Sequence, residues 1–335
     1  MKRIVLILLC IVQIVNGQNP FFKQIILNRD TQNFTFNAIL FCKNGFLWAG
    51  TSEGLYRSDG NDHHLLAIDS DIKCNVNTLF EDAAGIIWIG TKDGKIGFVE
   101  DDTLRIIKAF KLKTTVAITS INVDSNGSMW FTTAGDGAYY LQDKKYYHIG
   151  IEDGLSDDYC YTSASDKLGN MWIGTDQGLS LCTTVRGRKV LRKLQATDGL
   201  SDNIVKKIVL YDSKLLLGTQ ENGLCIYDLK QNSFQKQQNE SVWKYGALND
   251  IILNKQTHEI WVATESGGLL YCENPEERMF SFKQQSDRLF STVYSVAIDH
   301  QNNVWVAIER GLFRSHGQWL TFLNQFNGVD IKNVH

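Results

Sequence analysis

The sequence predicts an all-β protein, a seven-bladed β-propeller of four-stranded antiparallel blades. Three observations carry that prediction. A Trp-centred phrase returns seven times, its period is steady, and no stretch of the mature chain shows helical periodicity. The phrase reads Leu47-Trp48-Ala49-Gly50-Thr51, Ile87-Trp88-Ile89-Gly90-Thr91, Met129-Trp130-Phe131-Thr132-Thr133 and Met171-Trp172-Ile173-Gly174-Thr175. A weaker copy, Leu215-Leu216-Leu217-Gly218-Thr219, is followed by Ile260-Trp261-Val262-Ala263-Thr264 and Val304-Trp305-Val306-Ala307-Ile308. The third residues of these copies lie 40, 42, 42, 44, 45 and 44 apart. That interval is the length of one four-stranded blade.

The first element precedes the repeats. Lys2 and Arg3, the apolar run from Ile4 to Val12, and Val15-Asn16-Gly17 give the charged, apolar, small-residue order of a secretory signal. Gln13 and Asn16 interrupt the run well short of the ~20 apolar residues a membrane span needs. The expected layout is a signal peptide over 1–17, a propeller over 18–327, and a tail over 328–335 that resembles the start of a further blade. Loss of Lys2 and Arg3 takes the net charge from −3 to −5. No second apolar stretch reaches spanning length, so the mature chain is expected to be periplasmic or otherwise exported, without membrane insertion.

Each period then divides the same way. An apolar β-type run leads to a tight polar turn, as in Asp124-Ser125-Asn126-Gly127, Asp166-Lys167-Leu168-Gly169-Asn170 and Asp299-His300-Gln301-Asn302-Asn303. Asp, Asn and Gly supply the side-chain hydrogen bonds and positive φ that hairpin turns need. The Trp phrase is the second strand. Gly54-Leu55, Gly178-Leu179, Gly223-Leu224 and Gly311-Leu312 open the third, and aromatic-dotted runs such as Lys144–His148 and Met279–Phe282 form the outer strand. The small residues Ala49, Gly50, Gly90, Gly174, Gly218, Ala263 and Ala307 let neighbouring sheets approach while the Trp fills the wedge between them. Closure is left open by the sequence. Residues 21–28 and Trp319–Leu323 both look like outer strands for the last blade, and one edge holds only one strand.

Composition narrows the function. With 34 basic and 37 acidic residues and no long basic run, no nucleic-acid partner is expected. Six cysteines remain after the signal, scattered with no C-x-x-C pair; they read as small buried strand residues, and no metal site is expected. His63-His64 reads as a solvated loop. No nucleophile elbow, zinc helix or phosphate loop is present, so no catalytic residue and no cofactor is assigned.

The Trp-Ile-Gly-Thr phrases with their following Gly-Leu resemble the two-component regulator propeller repeat. So do the linkers Asp153-Gly154-Leu155-Ser156-Asp157 and Asp198-Gly199-Leu200-Ser201-Asp202-Asn203, and Arg57-Ser58-Asp59-Gly60 in the first blade. That repeat builds the periplasmic sensor region of hybrid two-component regulators, which many glycan-degrading gut bacteria use. The resemblance implies an oligosaccharide ligand, and other propeller or sensor-kinase chains as partners. Sensor members of the family continue into a second propeller, an immunoglobulin-like domain, a membrane helix and a kinase. This chain runs instead to Gly328–His335, a segment like Asp198–Val205, so a truncated member or a stand-alone propeller is expected.

Propeller ligands sit on the loops at one face of the disc. Loops after the Trp phrases bring Asp136, Asp176 and Arg310; at the last position the other repeats carry acidic, amide or glycine residues. The linker into the sixth blade departs from Gly-Leu-Ser and reads Trp243-Lys244-Tyr245. Aromatic faces cover sugar C–H groups and charged or amide groups bond the hydroxyls, so Trp243, Lys244, Tyr245, Arg310, Asp136 and Asp176 are the candidate ligand residues. The reading is an exported, glycan-sensing recognition module. A protein-interaction scaffold and a polysaccharide lyase or hydrolase are the alternatives.

Overall fold

The structure is a computed structural model that describes residues 21–25, 35–60, 62–69, 74–108, 110, 115–185, 188–235, 245–272, 283–284, 291–309, 311–316, 325–326 and 329–330. Seven sheets are arranged as the repeat predicts, each running in order from an inner to an outer strand. The inner strands are Phe36–Phe41, Val76–Glu81, Ile118–Val123, Cys160–Ser165, Val205–Tyr211, Leu248–Leu253 and Ser295–Ile298. The second strands are the Trp phrases, and every strand pair within a blade is antiparallel. Between blades one and two a short strand, Ala67–Ile68, pairs parallel with the outer strand Thr103–Ile106 and widens that sheet to five strands.

The N-terminal segment closes the ring. Phe21–Ile25 is the outer strand of blade seven, antiparallel to Gly311–His316 from Phe21↔His316 to Ile25↔Leu312. Phe22 is buried against Val293, Val296, Val304 and Val306. Trp319–Leu323 lies outside the described residues, as do the signal segment 1–17 and the run Met279–Phe282; the outer strand of blade six is Lys283–Gln284. His63 and His64 belong to the outer strand of blade one rather than to a loop, and His63 Nδ1 lies 2.7 Å from Ser58 Oγ.

The residue choices in the Trp phrase each have a contact that explains them. A Cβ on Gly50, Gly90, Gly174 or Gly218 would meet Val76, Ile118, Val205 or Leu248 of the next blade at 2.5–2.9 Å. The threonine that ends the phrase is fully buried in six blades, and its hydroxyl closes the following turn, as in Thr51 to the Gly54 carbonyl (2.9 Å) and Thr133 to Gly137 (2.8 Å). The turn aspartate does two jobs. In blade four Asp166 Oδ1 accepts the Leu168 and Asn170 amides while Oδ2 accepts the Trp172 indole N–H at 2.9 Å. Asp82, Asp124 and Asp299 hold Trp88, Trp130 and Trp305 the same way. The two blades whose turn lacks this carboxylate, at Cys42 and Asn254, leave the indole nitrogens of Trp48 and Trp261 without an oxygen acceptor.

All six cysteines of the propeller are buried, and none of them forms a disulfide. Burial pushes the Cys42 thiol up to about 12 and that of Cys182 to about 11.

Candidate functional site at the channel mouth

The seven inner strands enclose a central channel of about 500 Å³. Six of them carry a β-bulge one residue after their start, at Asn37, Asn77, Thr119, Tyr161, Lys206 and Asn249. Tyr294 holds the same place in blade seven, where its amide donates to the Ala307 carbonyl. Each bulged position opposes the end of its Trp phrase, so all seven lie at the linker end of the channel. A bulge inserts one residue and re-aims its side chain; here it turns a polar residue of six blades into the channel mouth.

Four of these residues staple blade to blade. Asn37 donates to the Val76 carbonyl (2.8 Å), Asn77 to Ile118 (2.8 Å), Thr119 to Cys160 (2.7 Å) and Asn249 to Val293 (2.9 Å). Each acceptor immediately precedes the corresponding residue of the next blade, so the bonds link blades one to four in one arc and blade six to blade seven. A second polar layer lies one residue deeper. Ser163 N donates to Ser120 Oγ, Lys207 pairs with Asp250 at 2.7 Å, and Asp250 accepts from Ser295 Oγ (2.8 Å) and Val296 N (3.1 Å). Ile39 N donates to Ser295 Oγ (3.3 Å) across the closing junction.

At blades four, five and seven the position makes no such bond, and blades four and five, being adjacent, leave the widest gap. Tyr161 is too long to bond the neighbouring carbonyl, and its hydroxyl donates instead to Asp176 at 2.6 Å. Burial, reinforced by this bond to Asp176, pushes the Tyr161 phenol well above its usual value. The Lys206 ammonium sits 3.7 Å from the centre of the Tyr161 ring, a cation–π contact. Burial pulls the Lys206 pKa below the ordinary lysine value, against the charges of Asp176 and Glu265. Among the described residues no carboxylate comes within ion-pair distance of Lys206. Tyr159, 39% exposed, packs its ring tilted against that of Tyr161 at 5.0 Å. The mouth thus offers a cation, a carboxylate and aromatic faces within one polar recess, a set suited to a hydroxyl-rich ligand.

Of the sequence-derived candidates, Asp176 belongs to this cluster. Asp136 is 7% exposed and braces its own loop, accepting the Tyr139 hydroxyl at 2.8 Å. Tyr245 is half-buried against the core between blades five and six. Trp243, Lys244 and Arg310 lie outside the described residues. Tyr161, Lys206 and Tyr294 escaped the sequence reading, although a signal was there. They stand 11 to 13 residues before the third residue of their Trp phrases, where the aligned repeats read Asn, Asn, Thr, Tyr, Lys, Asn, Tyr. Among the described residues no three His, Cys, Asp or Glu side chains cluster to hold a metal ion, and no helix is long and apolar enough to cross a membrane.

Residues 71–93 match the model of the two-component regulator propeller family. Among curated protein sequences there is no match. The fold is similar to the extracellular domain of the hybrid two-component system BT3049 from B. thetaiotaomicron, with 20% identity, a TM-score of 0.71, and 89% of this chain and 42% of that one covered. It is similar also to the extracellular domain of the hybrid two-component system BT4673 from the same organism, at 19% identity and TM-score 0.72, covering 90% and 43%. Virginiamycin B lyase from Staphylococcus aureus shares the fold at 11% identity and TM-score 0.68, covering 88% and 98%. The chain spans less than half the length of the two sensor domains. The chain is thus a seven-bladed propeller that matches the two-component regulator repeat at the start of its second blade and is similar in fold to the extracellular domains of such systems.

Proposed function

We propose that the chain is an exported recognition propeller that seats an oligosaccharide at its channel mouth and serves as the sensory piece of a two-component system. The observation that carries this reading is the gap in the bonded series, where Tyr161 and Lys206 line the channel instead of stapling blades and Tyr161 bonds Asp176. Four other blades spend the same position on a bond to the next blade, whereas Tyr161 and Lys206 contact each other and Asp176 and can turn to a ligand without breaking a blade-to-blade bond. The likeness to extracellular domains of hybrid two-component systems, and the leader-like residues 1–17, support the sensory and exported parts of the reading. Trp243, Lys244 and Arg310, which lie outside the described residues, are proposed on sequence grounds to take part in the same surface, and other propeller or sensor-kinase chains are its proposed partners.

Calorimetric titration against a panel of polysaccharide-derived oligosaccharides tests this. Saturable binding to at least one is expected. Lys206→Ala/Tyr161→Ala weakens it by about tenfold or more, and Trp243→Ala/Arg310→Ala weakens it further. Affinity unchanged in the folded Lys206/Tyr161 double variant removes the mouth from the site. New reducing ends or unsaturated products in the same incubations would replace the sensor reading with an enzyme.

A further inference from the structure

A second recess of about 410 Å³ opens between blades one and two, away from the channel, and a comparison of the repeats says what it fits. In blade seven Asp299 Oδ2 gathers four donors: Asn303 Nδ2 and Trp305 Nε1 at 3.0 Å, Arg314 Nε at 3.1 Å and Arg314 Nη2 at 2.8 Å. Arg314 faces Trp305 across the hairpin and stacks on its ring at 5.3 Å. Blade one repeats the Trp and Arg donors in the same register, with Arg57 opposite Trp48 and 6.0 Å from its ring centre. It does not repeat the acceptor. Cys42 stands where Asp299 would, and its thiol is a poor acceptor whose pKa burial drives up to about 12.

The consequences are visible on both donors. Trp48, only 3% exposed, finds no acceptor for its indole N–H beyond the weak thiol of Cys42. Arg57 turns outward to Asp102, a pair whose acidic partner is 71% exposed and which is worth little in water. Both side chains line the recess, with Phe46, Ile87 and Val99 as its apolar walls. Blade six is the internal comparison. Asn254 likewise leaves Trp261 without an acceptor, but the residue facing Trp261 is Tyr271, so no cation is in place there.

We propose that this recess binds a small carboxylic acid with an aryl or alkyl body, whose carboxylate supplies to Arg57 and Trp48 what Asp299 supplies within blade seven. Arg57 exchanges its exposed partner for a bidentate one. The buried indole N–H gains the oxygen acceptor it lacks, and the apolar walls cover the body of the ligand. The inference stands apart from the channel mouth, and neither depends on the other.

Phenylacetate is the probe, with phenylacetamide as its uncharged counterpart. The reporter is the indole N–H signal of Trp48 in an NMR titration of the whole chain, assigned by its loss in Trp48→Phe. The expected result is a saturable downfield shift with half-saturation at about 1 mM or below, and at least tenfold weaker binding of the amide. Cys42→Asp, which restores the internal acceptor, abolishes binding. Arg57→Gln weakens it at least tenfold and serves if Cys42→Asp does not fold. Absence of saturation, equal binding of the amide, or undiminished binding by a folded Cys42→Asp or Arg57→Gln protein overturns the proposal.

Discussion

A single hydrogen bond separates the strong repeats from the weak ones. The turn aspartate and the Trp six residues later are both plain in the sequence, but the sequence presents the aspartate only as a turn former. Its second oxygen finds the indole because the hairpin folds back on itself, a proximity set by strand register. In blade six Asn254 spends Oδ1 on the Gln256 and Thr257 amides and Nδ2 on Asn302, so no oxygen is left for the Trp261 indole. Asp166→Asn is therefore expected to cost about 1–3 kcal/mol, the penalty for a buried donor left unpaired. Asn254→Asp is expected to gain about 1 kcal/mol by giving Trp261 an acceptor, less the 3.2 Å bond from Asn254 to Asn302. Urea midpoints at constant slope read both. Opposite signs for the two swaps are the mark of the mechanism.

At the scale of the element, the inner strand and the closing strand show where local pattern stops. Alternation predicts that a strand lies between linker and turn, and the inner strands are there. It gives no warning of the bulge, because one extra residue in a short strand leaves the apolar count unchanged while turning Asn37, Tyr161 or Lys206 toward the axis. That is why the candidate site was read from the loops alone. Closure is a second case. Residues 21–25 and 311–316 are nearly 290 positions apart, and two segments of the chain carried equally suitable patterns. Register and the fit of Phe22 into the core of blade seven decided the outcome. Phe22→Ala is expected to cost about 3–5 kcal/mol and to raise amide exchange first in blades seven and one. Hydrogen exchange that rises equally in all blades would show that closure is not carried by this strand.

For the molecule as a whole, seven sheets that cannot bury both faces alone make one cooperative ring. Its polar interior is tuned by buried carboxylates. Burial by itself would push Asp299 up, but hydrogen bonds from Trp305 and Asn303 and the charge of Arg314 together hold it below the usual carboxylate value. Asp228, through the Gln231 amide, and Asp93, where bonds from Lys95 and Thr91 outweigh burial, are lowered too. A carboxyl depressed by folding adds stability above its unfolded pKa of about 3.9 and loses it as pH falls through the folded value. The melting temperature of the ring is thus expected to be flat above about pH 5 and to fall steadily below pH 4; a fall centred near pH 6 would point to histidine instead. What the sequence alone determined is the unit and its number: the period, the turn, the Trp and the small residues are local, and each is written within about 43 positions. What only tertiary structure decided is which side chains meet across blades. Those contacts, from the closing strand to Lys206 on Tyr161 and Arg57 beside Trp48, join residues whose proximity exists only once the ring has formed.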